Sequence, residues 1–349
     1  MFLNNYIAGL AGKKLLVAPL DWGLGHATRC IPIINSLLKS NCTIWLAADG
    51  ELVVLLSKEY PQLPILHLKG YRVNYAASGM IGKILWQVPK ILKSMRAENK
   101  WLKEQAEKYE FDYVISDNRY GLYHEKVHSI IITHQLQIKT PFGKWSEKIL
   151  QYWNYKFIDR FNECWIPDEE GENNFAGSLS HPEKLPAIPI KYIGAISRLE
   201  KRPVEEKKDH LLVVLSGPEP QRSLLEKLIL EQIIHYTGTA TVVRGLPSSK
   251  EVLPSSKDIV FHNHLPTEMM NEEMAKAAFV ISRSGYSTIM DIAAMKKKSI
   301  LIPTPGQTEQ EYLADYLMKK QFSYCISQRE FSLQQSIEKA KSFQYIINT

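Results

Sequence analysis

The chain has 349 residues, about twice a common domain size, so two domains are expected. With 45% hydrophobic and 23% charged residues it has the balance of a folded globular protein, and no apolar run reaches the roughly 18 residues that a membrane span needs. A formal charge of +6 is mild; it suits an anionic substrate or an acidic membrane surface and requires neither.

The weakly apolar start, residues 1–12, has no basic segment before it, so no signal peptide is expected. Lys14-Leu-Leu-Val-Ala-Pro19 then predicts a strand, which runs into the Gly-containing loop Asp21-Trp-Gly-Leu-Gly-His26. Ile31, Ile34, Leu37 and Leu38 follow at helical spacing, and Cys42 to Ala48 predicts a second strand closed by Asp49-Gly50. This strand–loop–helix–strand order is the unit of a parallel sheet. Further strands are predicted at Phe111–Asp117 and at Ser129–Thr133, ending in Asp117-Asn118 and His134-Gln135. Ligands of open α/β sheets sit at the carboxyl ends of strands, where these polar residues fall.

Residues 181–202 carry Pro182, Pro186 and Pro189, with Pro203 just beyond, and read as a linker; domains of 1–195 and 196–349 follow. A second cycle opens with the strand His210–Leu215, the loop Ser216-Gly217-Pro218 and a helix from about Gln221 to Ile234. Strands at Ala240–Val243, Ile259–Phe261, Phe279–Ser282 and Ser299–Pro303 complete it. The four cysteines, Cys30, Cys42, Cys164 and Cys325, show no Cys-x-x-Cys spacing, so neither disulfides nor a zinc site is expected.

The richest segment is Phe279 to Leu317. A strand feeds Arg283-Ser284-Gly285 and a helix opens near Ser287, so backbone N–H groups and the helix dipole suit a diphosphate. Asp291 lies two helical turns on, where a carboxylate can accept both ribose hydroxyls, and Pro303-Thr-Pro-Gly306 leads into Glu309-Gln310-Glu311.

Ile281-Ser-Arg-Ser-Gly-Tyr-Ser-Thr-Ile-Met-Asp291 with Ile302-Pro-Thr-Pro-Gly-Gln-Thr-Glu-Gln-Glu311 resembles the donor half of GT-B glycosyltransferases, and of family 28 in particular. The resemblance implies an α/β fold of two Rossmann-like domains facing across a cleft, the first binding an acceptor and the second a nucleotide-sugar donor, usually UDP-linked. It implies that Arg283, Ser284, Gly285, Tyr286 and Ser287 form the diphosphate turn, that Asp291 (where the family more often has Glu) holds the ribose, and that Glu309 and Gln310 reach the sugar. Ser216 and Gly217 would face the diphosphate, and the backbone near Leu265 would hold the base. Each segment also has a plain structural alternative as an ordinary βα turn.

Gly23-Leu-Gly25-His26-Ala-Thr28-Arg29 resembles the first loop of the same superfamily, and that of nucleotide-sugar hydrolases on the same scaffold. An imidazole can take a proton from an acceptor hydroxyl at neutral pH, so His26 is the candidate base and Gly25 a donor contact. Asp117, by resemblance to plant-type members, would orient His26, with a loop cap as the alternative; His134-Gln135 can line an acceptor pocket. No Asp-x-Asp triplet occurs, so no metal and no other cofactor is expected, and displacement with inversion is.

Residues 79–103 place Ile81, Ile84, Leu85, Val88, Ile91, Leu92 and Met95 at helical spacing beside Lys83, Lys90, Lys93, Arg96, Lys100 and Lys103. A basic amphipathic helix can lie on an acidic membrane, which would suit a lipid-linked acceptor and a cytoplasmic protein at the inner membrane face; a core-packed helix with a solvated basic side is the alternative. The rival functions are a UDP-sugar hydrolase or epimerase on the same fold and, more remotely, a nicotinamide-dependent oxidoreductase, for which the third fingerprint glycine is replaced by Thr28. Basic residues are dispersed and no nucleic-acid reading module is recognisable, so nucleic acid is not an expected partner.

Overall fold

A computed structural model describes residues 2–21, 24–71 and 80–347, with the side chains of Phe2, Leu24 and residues 80–87 outside that description. The described residues form two parallel sheets in two compact units, the first reaching Ile196 and the second beginning at Ser197.

The first sheet contains β1 (Lys14–Pro19), β2 (Thr43–Ala48), β3 (Ile65–His67), β4 (Tyr113–Asp117), β5 (His128–Ile132), β6 (Glu163–Ile166) and β7 (Ile190–Tyr192), in the order β3-β2-β1-β4-β5-β6-β7. Both faces are covered, as a parallel sheet requires. Alternation along β1 sends Leu15 and Val17 into a cluster with Ile31, Ile34 and Leu37 of α2 (Leu24–Lys39), and Leu16 and Ala18 into one with Leu102 and Ala106 of α4 (Met80–Tyr109). The short helices α1 (Phe2–Ala8) and α3 (Glu51–Glu59) extend the α2 side. On the described half of α4, Met95 is buried with Leu20 and Tyr71, and Ile91 and Leu92 pack against it. Ile91, Leu92 and Met95 of the apolar stripe thus belong to the core, while Val88 is exposed. Gly79 and the side chains of Ile81, Lys83, Ile84 and Leu85 lie outside the described residues.

The segment expected to be only a linker, 181–202, contains β7, the edge strand of the first sheet. Proline is tolerated at the start of an edge strand, and Pro189 directly precedes β7, giving its carbonyl to the Cys164 N–H at 2.9 Å.

The second sheet contains β8 (His210–Val214), β9 (Thr239–Val243), β10 (Ile259–His262), β11 (Phe279–Ser282), β12 (Ser299–Leu301) and β13 (Tyr324–Cys325), ordered β10-β9-β8-β11-β12-β13. Its core joins Leu211, Val213, Ile281 and Ile300 to Leu225 and Ile229 of α6 (Gln221–Ile233) and Ile337 of α10 (Leu333–Ser342). In both sheets the chain starts in the middle, moves out one way and then the other. The reversal falls between β1 and β4 in the first and between β8 and β11 in the second. Such switch points are where open α/β sheets bind ligands. No described helix is long and apolar enough to cross a membrane.

Candidate functional site

In the first unit, the switch point gathers the end of β4 and the start of α2. Asp117, the last residue of β4, is fully buried; Asn118 follows at φ 56°, a left-handed turn that asparagine tolerates. His26, in the first turn of α2, lies with Nδ1 3.2 Å from Asp117 Oδ2. Arg29, one turn further on and buried, donates through Nε to Asp117 Oδ2 at 3.2 Å and through Nη2 to Oδ1. The same Nη2 is 3.0 Å from His26 Nδ1, and Nη1 is 3.2 Å from Nδ1 of the buried His134. Burial alone would raise the Asp117 carboxyl, but the Arg29 charge and the His26 ring hold it down at about 2. Asp117 is therefore a carboxylate across the neutral range.

A second buried network supports this end of the sheet. Arg119 donates to Glu98 Oε1 at 2.7 Å and to the Pro19 and Lys69 carbonyls, and Tyr71 O–H donates to Glu98 Oε2 at 2.6 Å. It ties the turn after β4 to α4, to the end of β1 and to the loop after β3. Inside the first turns of α2, the Thr28 hydroxyl donates back to the Gly25 carbonyl at 3.1 Å; Gly23 lies outside the described residues. The sequence motif named Arg29 without giving it a part. Its spacing of three from His26, one helical turn, was the signal available.

In the second unit, the loop after β8 holds Ser216 and Gly217, the latter at φ 104°, where a side chain is disfavoured. After β11, Gly285 is the N-cap of α8 (Tyr286–Met295), whose first turn has no side-chain cap bond and no acidic residue. Gly285 itself has an ordinary φ of −76°, and a Cβ there would meet no protein atom within 4 Å. The fold thus has no need of a glycine at this position. Tyr286 is buried, while Ser287 is partly exposed at the helix opening.

Arg283 is turned away from solvent. It donates to the carbonyls of Gln221 at 2.8 Å, Pro303 at 3.2 Å and Ile302 at 3.3 Å, while its Nε is buried without a partner. No carboxylate among the described residues pairs with it, and burial lowers its pKa to about 10. Arg283 therefore ties together the loops after β8, β11 and β12, and supplies positive charge from behind them. Ser284 is also inward, donating to the Gln310 carbonyl at 2.8 Å.

The Glu309–Gln310 pair at the start of α9 (Thr308–Lys319) is split. Gln310 is buried and its Oε1 accepts the Thr304 N–H at 2.9 Å, so it shapes the loop; Glu309 is partly exposed. Asp291, partly buried on α8, accepts the Ser197 hydroxyl at 2.6 Å. Burial raises its pKa, against the opposing pull of the Arg198 charge and of hydrogen bonds from Ser197 and the Arg198 backbone. Leu265 is a core side chain in the turn before α7 (Thr267–Lys276), so only its backbone can face a ligand. Among the described residues no group of three or more His, Cys, Asp or Glu is gathered to hold a metal ion.

Two parallel α/β sheets of this order, each with polar residues at its switch point, define the class of fold: GT-B. Residues 218–345 match the glycosyltransferase family 28 C-terminal domain, so the chain is a glycosyltransferase whose second unit resembles that of family 28. Among solved structures it is similar to MurG of Acinetobacter baumannii, with 13% identity, TM-score 0.53, and 94% of this chain and 90% of that one covered. It is also similar to the glycosyltransferase SnogD from Streptomyces nogalater, with 12% identity, TM-score 0.61, and 95% and 93% covered. A third is the spinosyn rhamnosyltransferase SpnG complexed with thymidine diphosphate, with 12% identity, TM-score 0.56, and 95% and 89% covered. No curated protein sequence matches the chain.

Proposed function

We propose that this glycosyltransferase moves a hexose or N-acetylhexosamine from a UDP-sugar to a lipid-linked or glycan acceptor, inverting the anomeric centre without a metal ion. Residues 196–349 bind the donor and 1–195 the acceptor. The protein works in the cytoplasm, peripherally at the inner membrane face. The observation that carries the donor assignment is Gly285: an ordinary φ and open space over its Cα, as the side-chain-less N-cap of a helix beside the switch point. A diphosphate lying against that backbone explains the missing side chain, and the N–H groups of the first turn meet its charge. Arg283 adds charge from below, and Gly217 lets the β8 loop close in from the neighbouring strand. Asp291 takes the ribose hydroxyls and Glu309 the sugar. SpnG, of the same fold, was seen with thymidine diphosphate, which supports a nucleoside diphosphate as the ligand class.

His26 Nε2 takes the proton of the acceptor hydroxyl while Asp117 holds the ring through Nδ1. The acceptor oxygen attacks the anomeric carbon from the side opposite the diphosphate. The leaving diphosphate is stabilised by the α8 N-terminus.

Calorimetric titration with UDP, GDP, TDP and NAD, without added metal, tests the donor reading. Selective binding of UDP is expected, and binding of NAD alone would overturn it. Turnover of UDP-sugars with and without acceptor extracts then separates transfer from hydrolysis, because a hydrolase releases free sugar and UDP with no second substrate.

A further inference from the structure

Helix α5 (Lys144–Ile158) is built inside out. The side chains it buries are Glu147, Asn154 and Ile158. Glu147 accepts from Gln137 Nε2 at 3.1 Å, from Lys139 Nζ at 3.4 Å and from the Thr140 N–H at 3.5 Å. Asn154 donates to the carbonyls of Gln135 at 2.9 Å and Leu136 at 3.3 Å. These polar anchors set the rotation of the helix, because turning it would bury the two groups without partners.

The opposite face is apolar and open to solvent. Trp145 is 66% exposed, Tyr152 57%, Trp153 56% and Ile149 50%, and Phe142 in the preceding turn is 55% exposed. Trp145, Ile149, Tyr152 and Trp153 are spaced four, three and one residues apart and share one side of the helix. Every exposed charge on α5 is basic: Lys144, Lys148 and Lys156. Lys156 Nζ lies 5.4 Å from the centre of the Tyr152 ring, which stands edge-on to Trp153.

A contiguous aromatic patch ringed by cations marks an interaction surface. Tryptophan and tyrosine favour the boundary between headgroups and acyl chains, and lysines add attraction to anionic lipid. A second copy of the same face would set lysines against lysines. We infer that α5 docks on an anionic bilayer, lying in the headgroup plane with Trp145, Ile149, Tyr152 and Trp153 dipping toward the acyl chains. This places a membrane contact on α5; within residues 79–103, Ile91, Leu92 and Met95 pack into the core, while Val88 is exposed. It rests on no part of the donor assignment.

Flotation of the full chain tests this, using vesicles of phosphatidylcholine and phosphatidylglycerol at roughly 2:1 and vesicles of phosphatidylcholine alone. The protein is expected to float with the anionic vesicles, less so as salt rises. The triple substitution Trp145→Ser, Ile149→Ser and Trp153→Ser should weaken partition at least about tenfold, with unchanged melting and unchanged UDP binding in solution. Lys144→Gln, Lys148→Gln and Lys156→Gln together should weaken it and abolish its salt dependence, which keeps the test open should the serine variant misfold. Failure of the wild type to float, or equal flotation of the variants, would overturn the inference. So would a wild-type dimer in sedimentation velocity that the serine variant dissolves and no vesicle competes with.

Discussion

Arg29 grips Asp117 through both oxygens of its carboxylate while its Nη2 also reaches His26 Nδ1, at 3.0 Å. A guanidinium only donates, so His26 Nδ1 can accept from Arg29 or donate to Asp117, but not both in one tautomer. Only donation to Asp117 leaves Nε2 of the neutral ring free to take a proton. The two neighbours pull the ring toward opposite tautomers, and catalysis by His26 depends on Asp117 prevailing. His26→Ala should lower turnover by about 10²- to 10⁴-fold at saturating donor, and Asp117→Asn by a similar factor. UDP affinity should be unchanged in both. Turnover within a fewfold of wild type would remove the base assignment.

The same carboxylate predicts acid sensitivity. Asp117 is held at about 2 in the folded chain, against roughly 3.9 when unfolded. The folded state binds that proton less tightly. Its contribution is therefore fully present above about pH 4 and disappears as pH falls toward 2, in all on the order of a few kcal/mol. Urea midpoints measured from neutral pH downward should fall steeply across that window. In Asp117→Asn the chain should be less stable at neutral pH, because the buried Arg29 loses its carboxylate counter-charge, and the acid slope shallower. Parallel slopes for the two proteins would contradict the assignment.

Gly285→Ala separates binding from folding. The backbone accepts alanine at φ −76° and the Cβ meets no protein atom, so the melting temperature should hold or rise slightly. UDP affinity should fall about tenfold or more if a diphosphate lies against this Cα. Unaltered affinity in calorimetry would move the diphosphate elsewhere.

For Arg283→Met the discriminating comparison is between UDP and uridine. The buried charge acts on the diphosphate and not on the nucleoside, so UDP binding should weaken about tenfold or more while uridine binding changes little. Equal losses for both ligands would mean that Arg283 only holds the three loops together.

Asp291→Ala should weaken UDP binding by about tenfold and leave the binding of inorganic diphosphate unchanged, since it removes a ribose acceptor alone. Equal effects on the two ligands would remove the ribose assignment.

Much of this architecture could be read from residue order. Runs such as Leu15-Leu16-Val17 and Phe279-Val280-Ile281 are apolar on both sides because both sheet faces are covered, and they fall within β1 and β11. The fold resemblance rested on Gly285, Asp291 and the loop after β12, which are local in sequence. What stayed hidden depends on tertiary contacts. The motif does not show that Gln310 Oε1 accepts from the Thr304 N–H, a contact made by the fold of the loop. Arg283 looks like a surface cation beside a phosphate turn, yet three loop carbonyls enclose it. The outward face of α5 depends on partners that Glu147 and Asn154 find seven to nineteen residues away. β7 has only three residues and follows a proline-rich stretch, so its pairing with β6 leaves no periodic signal.

The Ser197 hydroxyl already occupies Asp291 Oδ1 at 2.6 Å, making the bond that a ribose hydroxyl would make. With Asp291 as the ribose acceptor, loading the donor is an exchange of one hydroxyl for another. The measured affinity is then a difference between two bonds, and part of the selectivity for ribose over deoxyribose is already offset by the protein's own serine. Each departure of the nucleotide has an intramolecular competitor ready to take its place, which favours rapid release of spent UDP over tight retention.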